Sequence, residues 1–198
     1  MFDIKVITQP FFFKNETELI IQLFKNGLDN LHLRKPEATK DEIIRFLSTI
    51  DSSFHNRITI HSHYSLINEF DLRGIHCTQK GKDSFFEISR TNIKKSISTH
   101  SFAEILALDY EFDYVFLSPV FNSISKQGYS PTLSQNEIKE FLNLYKKFPI
   151  YALGGITPNN IAMCKIMGFK GVALLGYVWE SKNPSDVLKM LFSTLNQS

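Results

Sequence analysis

The sequence predicts an α/β protein of the (β/α)8 TIM-barrel class, folded as a single domain over residues 1–198. Three observations predict it. Short β-like apolar runs alternate with longer helical ones, the alternation repeats eight times, and no Pro/Gly-rich linker divides the chain. Strict alternation implies parallel strands joined by helical crossovers, and eight such units close most naturally into a barrel. An open doubly wound sheet is the rival. It needs a glycine-rich dinucleotide loop after an early strand, where this chain has T-Q-P-F-F-F-K.

The elements follow in order. Strand 4–8 (I-K-V-I-T) leads to a helix near 15–26 that stops at Gly27, where a left-handed residue is needed. Strand 29–34 (D-N-L-H-L-R) alternates with period two and precedes a helix near 39–50. Strands 57–61 (R-I-T-I-H) and 73–76 (R-G-I-H) precede helices near 63–70 and 84–94. Strand 96–99 (S-I-S-T) is followed by a helix near 101–109, with Ser101 as its cap. Strand 113–118 (D-Y-V-F-L-S) is followed by a helix near 134–147, where Ser134 and Glu137 have capping-box spacing. Strand 149–153 (P-I-Y-A-L) precedes a helix near 158–167, opened by Thr157-Pro158 and closed at Gly168. Strand 170–175 (K-G-V-A-L-L) and a helix near 184–196 complete the set.

Composition removes several function classes. Hydrophobic residues make up 43%, enough for one continuous core. The net charge is only +2 with the signs interspersed, which gives no basic footprint for nucleic acid and no polybasic membrane patch. Cys77 and Cys164 lack metal or disulfide spacing, which suits a reducing cytoplasm. The start, M-F-D-I-K-V-I-T, has neither the basic region nor the apolar run of a signal peptide.

In a barrel, function gathers at the C-terminal strand ends. Five of the six histidines fall there: His32, His61, His63, His76 and His100. Period-two alternation puts His32 and Arg34 on one face and Leu31 and Leu33 on the other, so the polar pair should face the mouth. A lone histidine at a strand end is most often a satisfied side chain, but five at equivalent ends are harder to dismiss. Metal binding is the weaker reading of H-S-H, because carboxylates are scarce at these ends. Gly154 and Gly155 after the seventh strand, with Gly176 after the eighth, suggest backbone donors for a phosphate, or else a tight turn. Lys126 can cover an anion or simply be solvated. Phe11, Phe12 and Phe13 read equally as a buried staple and as an apolar wall.

At these residues the sequence resembles the thiamine phosphate synthase and thiazole tautomerase family. L-H-L-R-K is similar to the family's Q-L-R-E-K, and G-I-H-C-T-Q to its G-V-H-L-G-Q. S-T-H-S is similar to S-x-H-S, and S-P-V-F-N-S-I-S-K to G-P-V-F-x-T-x-T-K. A-L-G-G-I and G-F-K-G-V-A-L-L-G resemble the closing phosphate-site segments. Their strand-end positions make His32, Arg34, His61, His63, His76 and His100 the catalytic candidates. The resemblance implies Lys35, Ser98, Ser123, Ser125, Lys126, Gly154, Gly155 and Gly176 as substrate contacts. The implied ligands are a phosphorylated thiazole and, for the coupling reaction, a pyrimidine diphosphate with Mg2+.

The chain departs from that pattern at the metal. The family's strand-3 N-D aligns with His61 and Ser62, the second acidic ligand with Gly81, and the strand-2 lysine with Pro36. No metal ligand is therefore expected, although Asp83 lies nearby. The tautomerase histidine at the sixth strand exit aligns with Ser118 and Pro119. Coupling, tautomerisation and a non-catalytic thiazole-phosphate sensor or carrier all stay open, as does homo-oligomerisation.

Overall fold

The computed structural model describes residues 2–78, 80–122, 133–181 and 183–196. The strands are β1 (Asp3–Ile7), β2 (Asn30–Leu33), β3 (Ile58–Ile60), β4 (Gly74–Cys77), β5 (Lys94–Thr99), β6 (Tyr114–Leu117), β7 (Ile150–Leu153) and β8 (Gly171–Leu174). They are parallel, pair in sequence order, and close when β8 returns to β1 with Asp3 opposite Gly171 and Lys5 opposite Ala173. This is the (β/α)8 barrel the alternation predicts. No helix among the described residues is long and apolar enough to cross a membrane.

The period-two pattern explains why the sheet is stable. One set of strand residues, including Val6, Leu31, Leu33, Ile58, Ile60, Ile75, Val115 and Val172, is buried outward against the helices in one large core. The alternate set points into the lumen. There Ile7, Tyr114, Phe116, Tyr151 and Ala173 form a separate small apolar cluster. Barrel lumens are usually filled by branched aliphatic residues. The rest of this one holds Lys5, Asn30, His32, Thr59, His76 and Ser96, all buried. Lys5 closes the lower end, with Nζ 2.8 Å from the Asp3 carboxylate and 4.5 and 4.3 Å from the Tyr114 and Tyr151 ring centres.

The helices are α1 (Glu16–Lys25), α2 (Lys40–Ser48), α3 (Lys82–Phe86), α4 (Phe102–Leu106), α5 (Gln135–Leu144), α6 (Pro158–Met167), α7 (Gly176–Trp179) and α8 (Pro184–Asn196). Capping boxes start α2 at Thr39 and α5 at Ser134. The region after β3 departs from expectation. Residues 63–70 form only a short 3-10 segment, Tyr64–Asn68, entered through His63 at φ 53°. Tyr64 explains the change, since its ring is buried and its Oη donates to the His76 carbonyl at 2.8 Å. The expected helix 84–94 ends at Phe86, and β5 starts at Lys94, earlier than the sequence suggests. The intervening I-S-R-T-N is rich in residues that favour turns over helix.

Candidate functional site

A cavity of about 710 Å³ opens at the C-terminal ends of the strands. Arg34, His61, His76, Ser98, His100, Gly154, Gly155 and Gly176 all line it. Ser123, Ser125 and Lys126 lie outside the described residues. Three expectations need correction. His32 does not reach the mouth: it is 0% exposed, one layer below, because alternation gives a residue's face but not its depth. His63 turns away, and its Nε2–H donates to the Ala38 carbonyl at 2.8 Å.

Lys35 follows Arg34 on the opposite face and is only 1% exposed. Its Nζ contacts both Glu16 carboxylate oxygens at 2.6 and 2.8 Å and the carbonyls of Gln9 and Phe11 at 2.9 and 2.7 Å. It has no donor left for a substrate. It anchors the loop after β1 to α1 instead. That anchoring also decides the phenylalanines. Phe12 packs on Phe46 and over Lys35, Phe13 packs on Trp179, and Phe11 is 61% exposed, so none of the three walls the cavity.

The β2–β4 side is built from imidazoles. His32 Nδ1 lies 2.9 Å from His61 Nε2, and His32 Nε2 lies 2.8 Å from Tyr114 Oη. Asn30 Nδ2 donates to Tyr114 Oη at 3.1 Å, and Thr59 Oγ1 donates to Asn30 Oδ1 at 3.0 Å. His76 spans Ser96 Oγ at 2.8 Å and Ser98 Oγ at 3.0 Å. Its ring stacks on His61 at 4.2 Å. Burial pushes His32 and His61 well below the ordinary histidine range, reinforced by mutual repulsion within the cluster. Burial, with the Arg34 charge added, takes His76 down to about 3. All three are neutral at physiological pH.

Ring nitrogens of His32, His61 and His76 lie within 4.8 Å of one another, close enough to suggest a metal. Their hydrogen bonds argue otherwise. Both nitrogens of His32, both of His76 and Nε2 of His61 already meet protein groups. The His61 and His76 planes are also only 24° apart, so their in-plane lone pairs run side by side rather than to one point.

Magnesium fits no better. It prefers carboxylate and water oxygens, and the cavity's carboxylates are Glu104 after β5 and Glu180 after β8, neither of them on β3 or β4. A side chain at Gly81 would meet Tyr64 Oη at 2.8 Å, so the second acidic position is filled by a tyrosine. Asp83 is exposed on α3 and does not line the cavity.

The remaining wall is cationic and backbone-rich. The Arg34 guanidinium faces the cavity with no carboxylate partner among the described residues, and Lys82 joins it. His100 Nδ1–H donates to the Ser118 carbonyl at 2.8 Å, leaving Nε2 unprotonated in the neutral ring. At the exit of β7, Asn160 takes the Thr157 N–H at 2.9 Å and donates to the Gly155 carbonyl at 2.8 Å. The backbone N–H groups of Gly155 and Gly176 meet no acceptor among the described residues.

Sequence reading missed Asn30, Tyr64, Thr59 and Tyr114. Tyr114 and Asn30 were within reach, since each sits two residues before a lumen residue, Phe116 and His32. Tyr64 carried no signal, because it acts from a segment read as an outer helix.

A family model described as thiamine monophosphate synthase matches residues 4–178. The chain belongs to this family. A thiamine-phosphate synthase of Neisseria gonorrhoeae is 26% identical over 175 residues, covering 85% of each chain. One from Prochlorococcus marinus is 30% identical over 184 residues, covering 90% of this chain and 49% of that one. Among solved structures, a thiamine phosphate pyrophosphorylase from Bacteroides thetaiotaomicron superposes with a TM-score of 0.84 at 32% identity, over 99% and 98% of the two chains. The same fold recurs in a Pyrococcus furiosus thiamine phosphate pyrophosphorylase, with a TM-score of 0.82 at 18% identity over 98% and 96%. At the corner where the resemblance implies carboxylates, this chain holds His61, Ser62 and a Gly81 backed by Tyr64.

Proposed function

We propose that the barrel mouth binds a thiazole phosphate and shifts a proton within it without a metal, the tautomerase form of this family's chemistry. His100, beside Ser118, takes the place of the histidine that Ser118 and Pro119 do not supply. The observation that carries the reading is the rebuilt corner. Where a coupling enzyme is expected to hold Mg2+ with carboxylates, this chain has His61, Ser62 and a Gly81 backed by Tyr64. The phosphate is assigned to the free N–H groups of Gly155 and Gly176, where backbone donors can approach an anion closely. Arg34 is assigned to a second anionic group, such as a carboxylate on the thiazole, because its planar fork takes two oxygens at once. His100 Nε2, the ring nitrogen not bonded to the Ser118 carbonyl, is the candidate base.

The names of the relatives favour a second reading, coupling of the thiazole phosphate to a pyrimidine diphosphate. Arg34 and Lys82 would then face the diphosphate in place of a metal. One assay separates the two. The purified protein is incubated with a thiazole carboxylate phosphate, alone and with pyrimidine diphosphate and Mg2+. The expected result is isomerisation that needs neither addition. Pyrophosphate release that depends on Mg2+, with no isomerisation, replaces this reading with coupling. Calorimetric binding without turnover in any mixture replaces it with a sensor or carrier.

A further inference from the structure

We infer that His61 is a neutral hydrogen-bond donor aimed into the cavity through Nδ1–H, its proton held there by the chain Thr59–Asn30–Tyr114–His32. The donor role rests on the proposed binding of a thiazole phosphate; the tautomer does not. Each link fixes the next. The Thr59 hydroxyl donates to Asn30 Oδ1, so the Asn30 amide nitrogen is the end that faces Tyr114 Oη. Having accepted that bond, the phenol has its own proton to place, and His32 Nε2 lies 2.8 Å away. Ser96 and Thr59, the other hydroxyls beside Tyr114, are themselves bonded to His76 Nδ1 and to Asn30 Oδ1. With Nε2 accepting, neutral His32 carries its proton on Nδ1 and donates it to His61 Nε2 at 2.9 Å. His61 must then carry its own proton on Nδ1.

Nothing among the described residues takes that proton. Among the described residues, the sole buried side-chain polar atom without a partner is Tyr145 Oη. The unpaired Nδ1 of His61 therefore meets solvent, and His61 lines the cavity. A neutral imidazole N–H cannot act as a base. It stabilises negative charge developing on a bound acceptor, as a fixed dipole that needs no reorganisation. In a proton shift, His100 Nε2 would take the proton from one substrate atom and return it to another, while His61 holds the charge between. The proton count then balances with no other reagent. His61 touches the substrate; His32 and Tyr114 are positioning residues.

The test is imidazole 15N–1H correlation spectroscopy on protein with 15N-labelled histidine at neutral pH. The expected spectrum has both His32 and His61 protonated at Nδ1 only. His61 protonated at Nε2, or at both nitrogens, overturns the inference. Calorimetry and the same spectrum are then followed as thiazole phosphate is added. A shift at His61 Nδ1 supports the donor role. Saturable binding with His61 unmoved overturns it while leaving the thiazole phosphate reading intact. Absence of binding overturns that reading and with it the donor role, and leaves the tautomer standing on the free-protein spectrum. Tyr114→Phe gives an independent check. It should mix the His61 tautomers and lower kcat by between about tenfold and a hundredfold, with KM little changed. A pure Nδ1–H spectrum in that variant overturns the chain. Elemental analysis finding stoichiometric zinc on the three histidines also overturns it.

Discussion

On the β2–β4 side of the mouth, polarity is carried by side chains, each tied to another: His61 to His32, His32 to Tyr114, His76 to Ser96 and Ser98. On the β7–β8 side it is carried by backbone, at Gly155 and Gly176, with side chains removed. The first arrangement is specific about protons, because a neutral ring with two used nitrogens has a fixed donor and a fixed acceptor. The second is indifferent to protons and specific about volume. One mouth thus holds a corner that senses chemistry beside a corner that senses shape, and the two should fail in different ways.

Acid separates them most sharply. His32, His61 and His76 have folded pKa values below the unfolded 6.5, His76 at about 3. Between the folded and unfolded values the unfolded chain binds more protons, so stability is fully present above the unfolded value and falls as pH drops below it. Each histidine contributes a slope of about 1.4 kcal/mol per pH unit, so the three together reach on the order of 4. Urea unfolding across about pH 6.5 to 5 should therefore show a steep loss. His76→Gln should reduce the slope by about a third. A flat profile would mean that the cluster is open to water or already charged.

Volume should break the other corner. Gly155 has φ +65°, and a Cβ there would lie 2.4 Å from the Asn122 carbonyl oxygen and 2.8 Å from Phe121. The sequence suggests this glycine for its approach to an anion; the structure adds that the space is already taken by the exit of β6. Gly155→Ala should cost at least about 3 kcal/mol through clash and backbone strain. Gly168→Ala is the control, with φ +97° but nothing nearer than Leu142 Cβ at 3.5 Å. It should cost about 1 kcal/mol. Equal melting temperatures for the two variants would show that β6 and β7 do not press together.

How much was legible follows from the same division. The eight strands were legible because most outward residues are aliphatic and recur every second position, whereas the helix expected after β3 was not there to be read. Arg34 and the glycines were legible because a strand end fixes their level. His32 and Lys35 were not, since depth and partner are set by other strands and by α1. Tyr64 was not, because a tyrosine on an apolar segment reads as packing until its hydroxyl is seen on the His61 and His76 carbonyls.

Arg34 and Lys35 bring the comparison down to adjacent residues. Arg34→Met should leave the fold unchanged and weaken anionic ligand binding by about 2–5 kcal/mol, since the fork faces only the cavity. Lys35→Met should do the reverse. It strands the buried Glu16 carboxylate and should destabilise the protein by about 3–5 kcal/mol, with little change in affinity per folded molecule. Thermal unfolding beside ligand titration reads both, and exchanged outcomes would invert the two assignments.

The smallest effect expected is at Asp83, and it sharpens the comparison by what it should leave alone. Asp83 is the carboxylate nearest in sequence to the position where the family resemblance implies an acidic magnesium ligand, so it is the residue through which the β2–β4 corner would recover a metal. To do so it would have to leave α3, where it is exposed, and pass Tyr64, whose hydroxyl would lie 2.8 Å from a side chain at Gly81. Magnesium gives up its waters reluctantly and holds near-octahedral geometry, so one mobile carboxylate beside neutral imidazoles is a poor host. Asp83→Asn should therefore change stability by no more than about 0.5 kcal/mol, as for an ordinary surface substitution. It should also leave isomerisation and any weak Mg2+ titration as they are in the parent protein. A stoichiometric Mg2+ site in the parent that disappears in Asp83→Asn would restore the metal to this corner. Coupling to a diphosphate would then become the chemistry to test first.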